Sequence, residues 1–158
     1  MIKRKYINIL LCISVFFYTN LQNATETLIY ADDISYDENE NLIAKGKVKI
    51  ISEDKIIQSD LIIYNKLTEK YTIPVSFSFK DETNNYYYGE SGEFSKNLEN
   101  AKIENPKILL NDGSRIVGKK SQRYGHIDIV TKGSFSSCNS KISIKNFKCP
   151  IWQLDGEK

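Results

Sequence analysis

The residues with the clearest chemical potential are two cysteines near the C-terminal end, Cys138 and Cys149, with ten residues between them. This spacing is unlike the close Cys-x-x-Cys pair of redox enzymes, and too few other ligands accompany the pair to make a zinc site. In an exported protein, an even pair of cysteines is typical of a disulfide bond. Such a bond would close a loop of about a dozen residues and stabilise the fold by roughly 3 kcal/mol. Trp152, three residues beyond Cys149, is expected to pack beside it.

No catalytic set accompanies these cysteines. His126 is the only histidine, and it stands in the segment Gly125-His126-Ile127-Asp128. His126, Asp128 and a nearby serine would make a formal triad, but no nucleophile motif supports it. The sequence therefore predicts a protein that is not an enzyme and that has no metal site and no cofactor.

The first 24 residues have the layout of a secretory signal peptide. Lys3, Arg4 and Lys5 precede an apolar run over Ile7–Phe17, which is shorter than the 20 or so residues of a membrane-spanning helix. We predict cleavage after Ala24, with an uncleaved membrane anchor as the alternative. Cys12 then belongs to the removed segment.

Residues 25–158 are predicted to form one domain. Loss of the leader leaves 19 of the 22 Lys and Arg residues beside 20 Asp and Glu, so the mature chain is near neutral. The two signs of charge are interleaved and no basic block survives, which excludes nucleic acid as an expected partner.

Apolar residues recur with a period of two, which is typical of β-strands. The clearest run is Tyr71–Phe79, where Pro74 falls on the polar parity and predicts an edge or a bulge. Asn111-Asp112-Gly113 predicts a hairpin turn. No helical pattern follows residue 24, so the predicted class is all-β, with short antiparallel strands. The interior of such sheets is either a filled core or a groove for acyl chains, and the pattern leaves both open.

A weak repeat of 28 to 30 residues runs through the chain, and each of its blocks ends in an aromatic residue. The blocks are Asp32–Tyr36, Asp60–Tyr64, Glu90–Phe94 and Lys120–Tyr124. A period of this length predicts stacked β units rather than a single closed barrel.

Two groups of residues carry a resemblance to a known family. Ala31–Asp37, Ala44–Val48 and Ser59–Asn65 resemble the OstA-like repeat of the periplasmic lipopolysaccharide-transport proteins. Ser136-Ser137-Cys138 and Cys149-Pro150-Ile151-Trp152-Gln153-Leu154 resemble the end of the N-terminal domain of the lipopolysaccharide-assembly family LptD, and this ending favours LptD over the related shuttle LptA. The resemblance covers roughly Tyr30 to Leu154.

The resemblance implies a V-shaped OstA-like β-jellyroll in the periplasm, at the inner side of the outer membrane. Its interior would bind the lipid A acyl chains of lipopolysaccharide. It would receive them from an LptA-like bridge protein that pairs with the edge strand near Tyr30–Tyr36. The inward parity is the expected groove lining: Val48, Ile50, Ile73, Val75, Phe77 and Phe79.

The sequence departs from the LptD pattern after Leu154. LptD proteins continue into an outer-membrane β-barrel that this sequence lacks, together with the later cysteines that pair with those of the N-terminal domain. The expectation is a truncated or split product, and its partners would include a separately encoded barrel and an LptE-like plug. Cys138 and Cys149 then pair with each other, pair with another chain, or stay reduced. The alternatives are a stand-alone LptA-like periplasmic shuttle and a structural exported β-repeat protein without lipid binding.

Overall fold

The computed structural model describes residues 26–137 and 154–156. These residues form strands and connections and no helix, which confirms the predicted all-β class for this part of the chain. Consequently, no helix in these two ranges is long and apolar enough to cross a membrane. The strands are β1 (Thr27–Tyr30), β2 (Asp33–Tyr36), β3 (Leu42–Ser52), β4 (Lys55–Asn65), β5 (Lys70–Ile73), β6 (Phe77–Lys80), β7 (Tyr86–Gly89), β8 (Ser91–Ser95), β9 (Asn100–Glu104), β10 (Lys107–Leu109), β11 (Arg115–Val117), β12 (Lys120–Tyr124), β13 (Ile127–Thr131), β14 (Gly133–Ser136) and β15 (Leu154–Gly156).

All pairings are antiparallel, and the long hairpin β3–β4 divides the sheet into two halves. The C-terminal part of β4 pairs with β5, whereas its N-terminal part, Ile56–Ser59, pairs with β6. From β5 the first half-sheet continues through β8, β9, β12 and β13. From β6 the second half-sheet continues through β7, β10, β11, β14 and β15. The edge strands β2 and β1 pair with the two ends of β3.

Within residues 26–137, each connection between the half-sheets lies along the same edge, here called the closed edge. Its crossings are short, such as Pro74–Ser76 between β5 and β6, Glu90 between β7 and β8, and Lys132 between β13 and β14. The hairpin turns all lie at the opposite side, here called the open side. The result is a V of two facing half-sheets, and the four repeat blocks of the sequence all fall in the first half-sheet or at its margin.

Local sequence explains the bends at the closed edge. The register of β3 against β4 shifts between Lys45 and Val48, where Gly46 and Lys47 both have positive φ. Two further positions need glycine because the half-sheets approach closely there. A Cβ on Gly89 would lie 2.6 Å from Ile103 Cγ2, and one on Gly92 would lie 2.9 Å from Phe77 Cε1.

Asparagine-rich turns connect the strands at the open side. Oδ1 of Asp81 accepts hydrogen bonds from the backbone N–H groups of Thr83 and Asn85, at 2.9 and 2.8 Å. Asp37 makes the same kind of turn with Asn39 and Asn41. Such side-chain acceptors favour a tight turn over continued strand. The Asn111-Asp112-Gly113 prediction is also confirmed, because this segment joins β10 to β11.

One predicted element is divided. The alternating run Tyr71–Phe79 forms two strands, β5 and β6, which lie in different half-sheets. Pro74 lies in the break between them, in keeping with its missing N–H donor.

Candidate functional site

The space between the half-sheets is the candidate site, and most of the predicted lining residues reach it. Five of the six belong to the buried apolar core: Val48, Ile50, Ile73, Phe77 and Phe79. The sixth, Val75, is 36% exposed, because it lies in the break between β5 and β6. The alternation of buried and exposed side chains is lost there because the chain leaves the strand at Pro74 and bends at Val75.

Aromatic rings join the two half-sheets across this space. The ring of Phe94 in β8 meets Phe77 and Phe79 of β6 with centroids 5.3 and 5.1 Å apart, both edge to face. Tyr87 in β7 lies 5.4 Å from Phe79. These contacts are favourable geometries for aromatic pairs and make an apolar interior that is packed by its own side chains.

A buried polar cluster borders this aromatic layer toward the open side, with Arg123 at its centre. Arg123 is 3% exposed. Its guanidinium carbon lies 5.1 Å from the ring centroid of Tyr87 and 5.7 Å from that of Phe79. Its Nη1 lies 3.2 Å from Asp81 Oδ2 and 3.1 Å from Asp128 Oδ2, and it also donates to the Tyr87 hydroxyl.

The cluster crosses from one half-sheet to the other. Arg123 and Asp128 are directly opposite each other in the β12–β13 hairpin of the first half-sheet. Tyr87 and Asp81 belong to β7 and to the β6–β7 turn of the second half-sheet. The Tyr87 hydroxyl donates to Asp128 Oδ2 at 2.8 Å, so it links the two halves directly.

The two carboxylates of the cluster have opposite pKa shifts. For Asp81, burial raises the pKa, but hydrogen bonds from Asn85 and Thr83 and the charge of Arg123 outweigh it, so the net pKa is below the ordinary value. For Asp128, burial dominates and raises the pKa, and the contacts with Tyr87 and Arg123 only partly offset this. The cluster therefore holds Asp81 firmly ionised and tolerates the charge of Asp128 less well.

Sequence reasoning missed this cluster, although one signal was present. In the strand Lys120–Tyr124, Arg123 shares the buried parity with Ser121. Asp128 follows five residues later, across a tight turn, at the position where it would face Arg123. An arginine on the inward parity, with a carboxylate opposite, indicates a buried ion pair. The contacts of Arg123 with Asp81 and Tyr87 are long-range, and no local pattern predicts them.

The remaining predicted residues lie elsewhere. His126 is in the β12–β13 turn with its side chain 81% exposed, and its Nδ1 lies 3.1 Å from Glu82 Oε1. Cys138 and Cys149 fall outside the described residues, and the disulfide stays a prediction. Within residues 26–137 and 154–156, no group of His, Cys, Asp and Glu side chains is arranged to hold a metal ion.

The edges of the half-sheets expose apolar side chains. On β1 and β2, which pair only with β3 among the described strands, the exposed large side chains are Leu28, Tyr30, Ile34 and Tyr36. At the far edge of the first half-sheet, β12 and β13 expose Tyr124, Ile127 and Ile129. Free strand edges of this kind are templates for pairing with another chain.

Comparison with known proteins rests on structure alone. No protein-family model matches the sequence, and no curated protein matches it. Among solved structures, the chain is similar to LptH of Pseudomonas aeruginosa, described as the LptA homologous periplasmic component of the conserved lipopolysaccharide transport device. The TM-score is 0.59 at 12% sequence identity, over 82% of this chain and 94% of LptH.

The chain has an LptA-like β-jellyroll fold. The likeness to LptH confirms the predicted fold class. The strand order of the described residues, with two facing half-sheets joined along one edge, agrees with it. The likeness covers nearly all of LptH, and it concerns the fold, since the shared identity is low. The LptA-like fold therefore places the aromatic interior and the Arg123 cluster within a jellyroll.

Proposed function

We propose that this chain is a non-enzymatic lipopolysaccharide-transport module that holds lipid A acyl chains between its two half-sheets. The observation that carries the proposal is the apolar, aromatic interior of an LptA-like jellyroll whose half-sheets are joined, among the described strands, along one edge. Each acyl CH₂ that leaves water contributes about 0.8 kcal/mol, so burial of a few chains gives strong and reversible binding.

The finer assignment is that the chain works as an LptD-type receiving domain. It is exported by the signal peptide 1–24 to the periplasm, at the inner side of the outer membrane, and accepts lipid from an LptA-type bridge. The exposed edge formed by β1 and β2 supports this assignment, because a free antiparallel edge accepts a partner strand by main-chain hydrogen bonds. An outer-membrane barrel and an LptE-like plug would complete the assembly.

The direct test is site-specific photocrosslinking to lipopolysaccharide in the exported full chain. Phe79 is the better interior probe, because Phe77 also lines a surface cleft of about 520 Å³. The other residues lining this cleft are Lys47, Val48, Gln58, Ser59, Asp60, Ser76, Ser78 and Tyr88. Exposed Ser76 is the control.

Crosslinks at Phe79 and Phe77 but not at Ser76 are expected. If a folded protein crosslinks at Ser76 and Phe77 but not at Phe79, lipid contacts only the outer cleft, and the interior site is excluded. If no position crosslinks, the transport proposal fails, and a structural β-repeat protein with a dry core takes its place.

A stand-alone LptA-like shuttle is the second candidate, and the likeness over 94% of LptH favours it. The two roles differ in what they release. A shuttle passes lipid from a donor bridge protein to an acceptor domain, so purified chain should carry labelled lipopolysaccharide between the two. A receiving domain keeps its lipid until a barrel partner is supplied.

A further inference from the structure

We propose that the Arg123-centred cluster is a latch that holds the open side of the jellyroll shut and controls the entry of acyl chains. The inference rests on the proposed function, since the latch acts on the lipid interior. Its residues are Asp81, Tyr87, Arg123 and Asp128, with Glu82 and Lys55 at the periphery.

The position of the cluster is the first argument. Asp81 and Glu82 lie in the β6–β7 turn. Asp128 is the second residue of β13, directly after the β12–β13 turn. Both turns are on the open side, opposite the crossings that the described strands make. A contact there has the greatest leverage over a movement in which the half-sheets separate about the closed edge.

The closed edge has the features of a fixed side. Gly89 and Gly92 bring the half-sheets together so tightly that neither tolerates a Cβ without displacement of Ile103 or Phe77. Short crossings of one to three residues tie the halves at Pro74–Ser76, Glu90 and Lys132. Separation is therefore expected at the open side, where, within residues 26–137, side-chain contacts and no crossings of the chain join the halves.

The packed interior is the second argument. Phe79, Phe94 and Tyr87 are at most 1% exposed. An acyl chain reaches these rings only if the half-sheets move apart. The open side of the jellyroll, here called the mouth, must therefore open before lipid is loaded. The contacts that hold the mouth shut then set the rate of loading.

The chemistry of the cluster is the third argument. Apolar side chains at the mouth would hold it shut by the same burial of apolar surface that stabilises the core. Charged groups instead regain their hydration when they separate. A buried ion pair therefore adds little net stability to the closed state. The cluster is also incompletely satisfied. Among the described residues, Nε of Arg123 and Oδ1 of Asp128 are buried without a hydrogen-bond partner. These two atoms regain hydrogen bonds from water when the half-sheets separate, which makes the closed arrangement easier to open.

The test compares Arg123→Gln with Lys120→Gln. Both variants remove one cation from β12, but Lys120 makes an exposed ion pair with Glu104 inside one half-sheet, at 3.0 Å. Tyr87→Phe is the milder second variant, because it removes only the hydroxyl that bonds Asp128 and Asp81 and keeps the ring against Phe79. Amide hydrogen exchange and the uptake rate of fluorescently labelled lipopolysaccharide are measured on each purified full chain.

For Arg123→Gln we expect exchange in the β6–β7 and β12–β13 segments, and lipid uptake, to accelerate about tenfold or more, because the carboxylates lose their buried partner. Tyr87→Phe should also accelerate amide exchange and lipid uptake, but less than Arg123→Gln does. Lys120→Gln should leave both rates as in the wild type. If Arg123→Gln does not fold, the Tyr87→Phe result decides. Faster exchange spread evenly over all strands would show a purely structural role and overturn the latch.

Lipid uptake separates the two proposals. If uptake occurs at the wild-type rate in every variant while the mouth exchanges faster, the latch is overturned and the transport function stands. If neither the wild type nor the opened variants take up lipid, the transport function fails and the latch fails with it.

Discussion

The rings of Phe77 and Phe94 meet edge to face with centroids 5.3 Å apart, although the strands that carry them lie in different half-sheets. This contact joins the two half-sheets, and the sequence of neither strand predicts that it packs against the other. It makes the interior of the jellyroll a packed aromatic core, which any bound acyl chain has to enter by displacing these rings.

Truncation of this contact should be costly. Phe94→Ala is expected to lower the free energy of unfolding by about 3–5 kcal/mol, because the ring is fully buried and leaves a cavity. Urea unfolding followed by circular dichroism measures the change. The control is Val75→Ala, which should stay within about 0.5 kcal/mol of the wild type, because Val75 is partly exposed in the break between β5 and β6. Equal losses in both variants would contradict the packed interior.

The closed edge should reject a single methyl group. Gly89→Ala is expected to destabilise the fold by roughly 1–3 kcal/mol through overpacking against Ile103 and Phe77. The comparison is Gly125→Ala in the β12–β13 turn. A Cβ there meets nothing within 4 Å, so only its positive φ, +58°, opposes the change. A smaller loss at Gly125, about 1 kcal/mol, is expected. A larger loss at Gly125 than at Gly89 would argue against close contact of the half-sheets.

Acid should weaken the domain through Asp81. Because the folded-state pKa of Asp81 is below its unfolded value, its ionised form stabilises the fold above the ordinary carboxyl pKa. That stability is lost as the pH falls through the folded-state pKa. Asp81→Asn should therefore flatten the dependence of the urea midpoint on pH in the acid range. Asp60→Asn, at an exposed position in β4, is the control and should retain the wild-type slope.

Alkali should weaken the domain through buried tyrosines. Burial raises the pKa of Tyr71 to about 12, and the neighbouring Tyr64 adds to the shift. For a group whose folded-state pKa is raised, stability is complete below the unfolded value, near 10, and is lost as the pH rises through the folded value. Unfolding followed by circular dichroism should therefore set in between these two pH values, with a smaller loss in Tyr71→Phe. Tyrosinate absorbance should show Tyr71 ionising late; early ionisation would contradict its burial.

The edge strand β2 should be open to a disruptive charge. Tyr36→Lys is expected to leave stability within about 0.5 kcal/mol, because Tyr36 is 70% exposed, and to weaken pairing with an LptA-type bridge protein. Light scattering of the mixture measures the association. The control is Leu67→Lys, in the β4–β5 turn and 91% exposed, which changes the same kind of apolar group away from any edge. Equal weakening by both variants would remove β2 as the docking edge.

Sequence patterns alone predict the all-β class, the hairpin at Asn111-Asp112-Gly113 and the inward parity of Val48, Ile50 and Phe79. These features follow from local rules, since side chains alternate along a strand and turns need particular residues. Even Pro74 marked where the strand Tyr71–Phe79 breaks. Val75 departs from the predicted inward parity because side chains alternate between the two faces only while the chain stays in a strand.

The way in which strands of the two half-sheets face each other comes from long-range packing. The packing of Phe77 against Phe94, and of Tyr87 against Arg123, joins residues 17 and 36 positions apart in the sequence, from different half-sheets. Contacts of this kind depend on how two curved layers meet, and no periodicity along one strand encodes that. The cross-strand pair of Arg123 and Asp128 was visible locally, but its closure of the jellyroll mouth with Asp81 arises only when the half-sheets fold together.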